Sequence, residues 1–389
     1  MRAAVIGAGI TGVTTAYFLS KKKIDVTLIE GRRYPAMATS YANGGQLSAS
    51  NSEAWNSWHN VKTGLKSLIN RKHSSLIINP IPNITKLAWL YKFIYNIGKS
   101  EKITFEICKM AIESISLYDD ITRQENLEFD KLDKGIVHLY MNKKHTENAE
   151  YINKIYRKAG LNRFRITHEE LYNIEPALKN KKLDSIFYTP SDKTGDIHKF
   201  CNGLTNNLVK KKKIKVLSCN VDNLNEYSNE YDFVVVCAGV YSPFLARTIG
   251  EHLPIYPVKG YSITINSPGK NTPTVSLLDD YNKIVTSRLG NDRLRVAGIA
   301  EFNGYNLDIL QNRVRPLIKW CMDMFPDINT KDIKPWAGLR PMTPNMLPII
   351  KQSKSNIKVW YNTGHGHLGW TLSAYTAKIL TEKILEKLI

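Results

Sequence analysis

The spacing of apolar positions divides the chain into α/β segments and a helical middle. The chain begins with an apolar run at residues 3–6, followed by a glycine-rich turn. A helix with one apolar face and the apolar run DVTLIE come next. This order predicts the opening of a parallel α/β unit. A continuous apolar run at 232–239 predicts another buried strand, whereas residues 254–300 alternate as antiparallel strands do. Long helical patterns dominate residues 54–180.

The α/β segments recur at the beginning, in the middle and at the end of the chain, which predicts one discontinuous domain with a second domain inserted into it. We assign the discontinuous α/β domain to residues 1–53, 192–250 and 336–389. The insert, an α+β domain of antiparallel strands and helices, takes residues 54–191 and 251–335. At 389 residues the chain is long enough for two such domains.

The chain carries a formal net charge of +19. A basic surface concentrates anions, so acidic substrates, nucleic acid and an anionic membrane surface are all conceivable partners. Lys, Asn and Ile are common throughout, which fits equally well with a compositional bias spread over solvated faces. Because the sequence lacks a cluster of aromatic and basic residues like that of RNA-binding sheets, we expect no nucleic acid partner.

Cysteine usage and hydropathy favour a cytoplasmic protein. The five cysteines are widely spaced and form no CxxC pattern, which fits a reducing compartment. No run reaches the roughly 18 apolar residues of a membrane span, and glycines interrupt the first apolar run, unlike in a signal peptide. Any membrane contact is therefore expected to be peripheral, on the inner face of the cell membrane. The segment KLAWLYKFIYNIGK fits such a contact or an ordinary packed helix, and its apolar residues are Leu87, Leu90, Tyr91, Ile94 and Ile97.

Gly7, Gly9 and Gly12 form a G-x-G-x-x-G pattern between the first predicted strand and the first predicted helix. Glycines allow a tight turn and a close backbone approach, and the free amides at the helix N-terminus bind a pyrophosphate. Glu30 ends the second predicted strand, where an acid accepts hydrogen bonds from ribose hydroxyls and repels a 2′-phosphate. The pattern therefore predicts a dinucleotide site that disfavours NADP. It does not distinguish NAD from FAD, because both bind such turns.

A second glycine-rich turn, NTGHGHLGWTLS at residues 362–373, follows an apolar run and precedes the C-terminal helix. Its glycines let a ligand approach the free amides of a helix N-terminus, which stabilise negative charge. A reduced flavin carries such charge at N1 and the C2 oxygen, so the turn fits a flavin edge. His365 and His367 are two residues apart, with no other ligands nearby in the sequence, so we expect no metal site.

Five segments stand in a characteristic order along the chain: AAVIGAGITGV, ATSYANGGQLS, YPVKGYSITI, WAGLRPMTPN and NTGHGHLGWTLS. In these segments the chain resembles the FAD-dependent D-amino acid dehydrogenases of the small-subunit type, within the D-amino acid oxidase and glycine oxidase superfamily. The resemblance covers nearly the whole chain. It implies a Rossmann-like FAD-binding domain of the glutathione-reductase type and a substrate domain with an antiparallel sheet roofed by helices.

The same resemblance implies an activity. The reaction is the oxidative deamination of D-amino acids to 2-oxo acids and ammonia, with electrons passed to a membrane quinone or another carrier. An oxygen-using oxidase of glycine, sarcosine or another secondary amine is the alternative. The oligomeric state is left open.

The resemblance also implies which residues hold FAD. The ADP half is assigned to Gly7, Ala8, Gly9, Ile10, Thr11, Gly12, Glu30, Gly31 and Arg32, with the backbone of Val221 at the adenine. The loop along the ribityl chain and the flavin is assigned to Ser40, Asn43, Gly44, Gly45, Gln46 and Leu47. The pyrimidine end of the ring is assigned to Gly364, His365, Gly366, Leu368 and Gly369. Further predicted cofactor contacts are Ala238, Gly239, Gly338, Arg340, Trp370 and Thr371.

Three residues are predicted to bind the substrate. The planar guanidinium of Arg340 matches a carboxylate with two hydrogen bonds, and its place in the GLRP motif makes it the first candidate, against a structural salt bridge. Arg288 is a second candidate, with a solvent-facing position as the alternative. The Tyr261 hydroxyl would hydrogen-bond the carboxylate unless the ring is simply packed in its strand. The departures from the residues usual in the family, which bear on substrate range, are His367, Asn345 and Met346.

Overall fold

The computed structural model describes residues 1–69, 75–179 and 181–388. The strands in these ranges are β1 (Arg2–Ile6), β2 (Asp25–Glu30), β3 (Gln46–Leu47), β4 (Leu76–Ile78), β5 (Ile136–Tyr140), β6 (Phe164–Ile166), β7 (Ser185–Thr189), β8 (Lys193–Thr194), β9 (Ile214–Ser218), β10 (Phe233–Val236), β11 (Tyr256–Asn266), β12 (Ser276–Asp279), β13 (Ile284–Leu289), β14 (Arg293–Phe302), β15 (Ile333–Met342), β16 (Ile349–Gln352) and β17 (Val359–Thr363). The helices are α1 (Ile10–Lys21), α2 (Trp58–Ile69), α3 (Ile84–Tyr95), α4 (Ser100–Glu125), α5 (Lys143–Lys158), α6 (His168–Ile174), α7 (Ile197–Lys210), α8 (Leu224–Glu230), α9 (Ser242–Arg247), α10 (Gln311–Met324) and α11 (Gly369–Leu388).

One sheet, built from six of the described strands, forms the centre of the α/β domain, with the order β16-β17-β10-β1-β2-β9. Its strands are parallel except for β16 at one edge. β1 and β10 lie in the middle, where both faces of the sheet are covered, so their sequences are apolar runs rather than alternating patterns. The α/β fold that the sequence predicts is therefore confirmed, with β10 inside the apolar run at 232–239.

A second sheet, which contains nine of the described strands, supports the insert in the order β15-β11-β14-β13-β12-β5-β7-β6, with β4 paired to β14. The long strands β11 and β14 are antiparallel, as the alternation at 254–300 predicts, and β15 also pairs with β11 in the antiparallel sense. The pairings of β5 with β12 and of β4 with β14 are parallel, so the sheet is mixed rather than wholly antiparallel. These pairings join segments that are distant in the chain, and a local pattern cannot reveal them.

Helix α10 packs on the second sheet, and helices α4 and α11 pack on each other. α10 packs on β11 and β14 through an apolar face that includes Leu317 and Trp320. α4 packs on α11, where the Tyr118 and Ser373 hydroxyls lie 2.5 Å apart, although α4 falls in the segment 54–191. The middle segment thus shares a core with the α/β domain, and the domain boundaries drawn above stay a prediction. None of the helices in the described ranges combines the length and apolar character that crossing a bilayer requires.

Candidate active site

The glycine-rich turns predicted from the sequence meet at one cavity of about 1240 Å³. Pockets for small ligands typically hold about 300 to 1,000 Å³, so this cavity has room for a dinucleotide and a substrate. The predicted site residues that line it are Gly7, Gly9, Ile10, Thr11, Glu30, Gly31, Arg32, Ser40, Asn43, Gly44, Gly45, Gln46, Val221, Ala238, Gly239, Tyr261, Gly338, Arg340, Gly364, His365, Gly366, Leu368, Gly369, Trp370 and Thr371. The predicted residues outside its lining are Ala8, Gly12, Leu47 and Arg288.

The first turn is held by a close backbone contact and by Glu30. A Cβ atom on Gly12 would lie 1.7 Å from the carbonyl oxygen of Gly7, so α1 can start this close to β1 only without a side chain there. Glu30 Oε2 accepts a hydrogen bond from the Ala8 amide at 2.8 Å, and Oε1 accepts one from the Arg32 amide at 3.0 Å. Ala8 and Gly12 therefore shape the turn rather than line the cavity.

The loop at residues 40–47 is tied to both sheets. Ser40 Oγ accepts a hydrogen bond from the Ile10 amide at 3.1 Å, at the start of α1. Gln46 Nε2 donates to the carbonyl oxygens of Leu277 and Thr286, both at 3.2 Å. Gln46 Oε1 is buried and has no hydrogen-bond partner among the described residues. A ligand with a polar hydrogen would satisfy this oxygen, which is costly to leave unpaired.

The C-terminal turn leads into α11 and carries two neutral histidines. Nε2 of His365 lies 2.9 Å from a threonine hydroxyl of α11, and burial lowers the pKa of His365 to about 3. The ring of His367 stacks on Trp55 at a centroid distance of 4.7 Å, and burial, together with the charge of Arg340, lowers the pKa of His367 to about 4. Trp370 Nε1 is buried without a partner in the part of the chain that the structure describes. The turn thus offers the Trp370 indole N–H as a donor to a ligand and adds no imidazolium charge.

Arg340 brings a guanidinium to the cavity wall without an acidic partner. Its Nη1 donates to the carbonyl oxygen of Ile299 at 2.9 Å and to that of Lys259 at 3.4 Å. Within residues 1–69, 75–179 and 181–388, no carboxylate oxygen lies within 4.0 Å of it. Burial lowers the pKa of Arg340 to about 10, so the group remains charged at neutral pH. A partly buried cation of this kind, which faces a cavity, is a site for a carboxylate ligand.

Two residues that sequence reasoning missed hold Arg340 in position. A Cβ atom on Gly260 would lie 2.4 Å from Nη2 of Arg340, so glycine provides the space for the guanidinium. A glycine inside a strand often marks such a close approach, and this signal was present in the YPVKGYSITI segment. Ile299 has a φ of 61°, which is rare for a β-branched residue, at a bulge in the β11–β14 pairing. Its carbonyl oxygen is the main acceptor for Arg340.

The structure gives the other two predicted substrate residues different partners. Tyr261 is buried, and its hydroxyl donates to Glu301 Oε2 at 2.7 Å, so this hydroxyl is already bound to a carboxylate. Arg288 lies outside the cavity lining, and its guanidinium donates to the Thr272 hydroxyl and to the Asn291 carbonyl oxygen. Successive side chains on a strand point to opposite faces, and the sequence pattern does not identify the face that meets the cavity. We therefore assign neither residue a role in binding the substrate.

A polar recess of the cavity was not predicted. Glu53, His138, Asp280 and Lys283 line it and come from three separate segments. Lys283 Nζ lies 3.1 Å from Asp280 Oδ1, and His138 Nε2 lies 2.7 Å from the Ser50 hydroxyl. Burial lowers the pKa of His138 to about 4 and raises the pKa of Glu53. No local pattern unites these residues, since the fold alone brings them together.

Comparison with known proteins agrees with this geometry. The profile of the family DAO, FAD dependent oxidoreductase, matches residues 2–383. D-amino acid dehydrogenase 3 of Mesorhizobium japonicum is 46% identical over 394 residues, which cover 97% of this chain and 95% of that protein. D-amino acid dehydrogenase of Dechloromonas aromatica is 35% identical, with 99% of this chain and 97% of that protein covered.

Among solved structures, glycine oxidase from Bacillus cereus superposes with a TM-score of 0.73 at 16% identity, with 99% of this chain and 95% of that chain covered. This likeness confirms the predicted fold, an FAD-binding Rossmann-like domain with an insert. The family profile covers both glycine-rich turns and the loop at 40–47. The chain belongs to the DAO family of FAD-dependent oxidoreductases.

Proposed function

We propose that this protein oxidises D-amino acids at the α-carbon, forming 2-oxo acids and ammonia, and that it passes the electrons to a quinone or another carrier. The observation that carries the proposal is the guanidinium of Arg340, which forms no salt bridge within the described residues and lines the same cavity as the two glycine-rich turns and the loop at 40–47. The names of two relatives, D-amino acid dehydrogenases at 46% and 35% identity, support the substrate class.

The cavity residues fit FAD. When bound, FAD accepts the hydride of the substrate α-carbon. We assign its ADP half to the turn at residues 7–12 and to Glu30, and its ring to the loop at 40–47 and the turn at 364–371. Support for this assignment comes from the amides at the starts of α1 and α11. It also comes from Gln46 Oε1 and Trp370 Nε1, which are buried without a hydrogen-bond partner among the described residues.

The residues of the chain then position the substrate. Arg340 binds the α-carboxylate, while the Ile299 carbonyl oxygen fixes the orientation of the guanidinium. Because His365 and His367 are neutral, Arg340 supplies the positive charge of this part of the wall. The substrate amine must be neutral before the α-carbon can release a hydride, and burial of the substrate lowers the pKa of the amine, which favours the neutral form. Water hydrolyses the imino acid product to the 2-oxo acid and ammonia.

Steady-state assays with a soluble dye as the electron acceptor test this proposal. D-amino acids should turn over, with equal amounts of 2-oxo acid and ammonia formed, and L-amino acids should not. Arg340→Ala should lower kcat/KM roughly 100-fold or more, because two charge-assisted hydrogen bonds are lost. Arg288→Ala is the matched control and should leave kcat/KM unchanged. Peroxide formation in air as fast as dye reduction would favour the oxidase of glycine, sarcosine or another secondary amine, and full activity of Arg340→Ala would contradict the assigned anchor.

A further inference from the structure

The polar recess of the cavity, formed by Glu53, His138, Asp280 and Lys283, contains none of the residues assigned to FAD or to the substrate carboxylate. Asp280 already has two partners, since Lys283 Nζ lies 3.1 Å from its Oδ1 and His138 Nδ1 lies 3.5 Å from its Oδ2. An ammonium group carries three N–H donors. Within the described residues Lys283 uses one of them, on Asp280, and so keeps donors for a ligand.

Glu53 is the acid of the recess without a cationic partner. In the part of the chain that the structure describes, no nitrogen of Lys, Arg or His lies within 4.0 Å of its carboxylate. Its one side-chain hydrogen bond in the same ranges comes from Asn148 Nδ2, at a long 3.4 Å. A carboxylate accepts at about four positions, so Glu53 has acceptor positions left for a ligand. Burial raises the pKa of Glu53, and a donor supplied by a ligand would offset the cost of its charge.

The fixed charges inside the recess oppose one another. Glu53 and Asp280 are acids, whereas Lys283 and the buried Arg163, which lines the same cavity, are bases. His138 is uncharged at neutral pH because burial lowers its pKa to about 4. An anionic side chain would meet the two acids, and a cationic side chain would meet the two bases. The recess therefore favours an uncharged group that both donates and accepts hydrogen bonds.

The cavity reaches solvent beside the recess. Lys144 and Tyr281 are exposed and line the cavity, and the side chain of Lys283 is half exposed. The positive charge at this opening disfavours the approach of cationic side chains, although solvent screens it. A small polar molecule can enter here and meet Glu53 first among the acceptors of the recess.

The recess adjoins the part of the cavity that we assign to the flavin ring. The Asn51 carbonyl oxygen lies 3.3 Å from His367 Nε2, and the Trp55 ring stacks on the His367 ring at 4.7 Å. Glu53 stands between these two residues in the chain, so its Cα lies at most about 7 Å from the Cα of either. Burial, followed by the charge of Arg340, lowers the pKa of His367, so the guanidinium also lies near this ring. One amino acid can therefore contact both Arg340 and the recess.

We propose that the polar recess is the subsite for the substrate side chain and that it selects an uncharged side chain with both donors and acceptors, above all a carboxamide. The amide nitrogen donates to Glu53, and the amide oxygen accepts from Lys283. This inference rests on the proposed function, because it names the D-amino acids that the enzyme prefers. An apolar side chain of the same shape leaves Glu53 and Lys283 without these partners after water is displaced, which lowers its kcat/KM.

The test compares kcat/KM of the FAD-bound, full-length protein for D-amino acids of equal size, with a soluble dye as the electron acceptor. D-asparagine, D-leucine and D-aspartate have side chains of the same shape that differ in hydrogen bonding and charge. D-glutamine, D-methionine, D-glutamate and D-lysine form a longer set. In each set the carboxamide should exceed the other members at least about tenfold, because a lost hydrogen bond to a charged group costs roughly this factor.

Variants of the recess show whether it is the cause of the preference. Glu53→Leu replaces the carboxylate with an apolar group and should lower the ratio of kcat/KM for D-asparagine over D-leucine at least about tenfold. Glu53→Gln keeps a carbonyl acceptor and should restore part of this ratio. Lys283→Met, which removes the donor, should also lower it. The matched control is Glu147→Ala, an exposed acid on α5 outside the cavity lining, which should keep the wild-type ratio.

A wild-type preference for the apolar, anionic or cationic member of a set would overturn the proposed selectivity. An unchanged ratio in Glu53→Leu, or in Lys283→Met if Glu53→Leu does not fold, would overturn the assignment of the side chain to the recess. A failure of every D-amino acid to reduce the dye would instead refute the proposed function, whereas turnover without a carboxamide preference refutes the subsite alone.

Discussion

Replacing Gly260 with alanine tests whether the position of the Arg340 guanidinium matters to the reaction. The new Cβ atom would lie 2.4 Å from Nη2 and 2.5 Å from Cζ of Arg340. Ordinary van der Waals contacts of a Cβ atom begin at 3.4 Å, so the guanidinium must move by about 1 Å. The movement also strains its hydrogen bond to the Ile299 carbonyl oxygen.

The effect of Gly260→Ala should fall on catalysis more than on folding. The obstructing atoms are the end of a flexible side chain, which can swing into the cavity. Alanine in a strand is also more favourable than glycine by about 0.5 to 1 kcal/mol, which offsets part of the repulsion. We therefore expect the free energy of unfolding to change by less than about 1 kcal/mol. A misplacement of 1 Å can cost about 100-fold in rate, which corresponds to about 2.7 kcal/mol.

Stopped-flow bleaching of the flavin by a D-amino acid, together with urea unfolding, separates the two effects. The control is Gly203→Ala on α7, where the new Cβ atom would make an ordinary 3.4 Å contact with the Leu127 side chain. The control should bleach at the wild-type rate. If Gly260→Ala folds normally, retains FAD and bleaches as fast as wild type, the anchoring role of Arg340 is refuted.

Three other predictions concern stability and the residues around the site. The free energy of unfolding in urea should be about 1 kcal/mol higher for Ile299→Gly than for Ile299→Ala, because φ at this position is 61°. In most strand positions alanine is more stable than glycine, and that order here would show that Ile299 is unstrained. Burial holds the folded-state pKa of His138 and His365 at about 4 and about 3, below the usual 6.5, so the unfolded chain binds more protons below pH 6.5. The free energy of unfolding should therefore fall by up to roughly 2 kcal/mol per histidine as the pH drops to 5, and His365→Gln should lessen the fall; equal pH slopes in urea titrations would contradict this. Tyr261→Phe should lower the free energy of unfolding by about 2 kcal/mol, because Glu301 loses a hydrogen bond, and should leave KM unchanged. A large rise in KM would show that Tyr261 binds the substrate.

The parts of the site that the sequence revealed are those that depend on neighbours in the chain. The strand, the glycine turn and the helix at the start of the chain each have a local sequence pattern. A side chain at Gly12 would collide with the carbonyl oxygen of Gly7, which is only five positions away in the chain. The turn into α11 is equally local, since glycine spacing and helical periodicity both appear within residues 362–389. We identified Arg340 as a candidate from the resemblance to the family, because a single arginine in a strand does not by itself indicate a binding site.

The parts that the sequence did not reveal depend on which distant segments meet. The side chains of Tyr261 and Ser262 point to opposite faces of β11. Only the hydrogen bond from the Ser262 hydroxyl to the Ala42 carbonyl oxygen shows which face meets the α/β domain. The unusual backbone of Ile299 follows from a bulge against β11 and not from its own preference. The packing of α4 on α11 likewise arises from tertiary contacts, because amphipathic periodicity shows that a helix has a partner but not which one.

Anaerobic mixing of the purified, FAD-bound protein with single enantiomers of amino acids tests the central claim most directly. The oxidised flavin spectrum should disappear with a D-amino acid and persist with its L-enantiomer, and the loss should be at least about 100-fold slower in Arg340→Ala. Bleaching by both enantiomers at similar rates, by neither, or with no dependence on Arg340 would contradict the account.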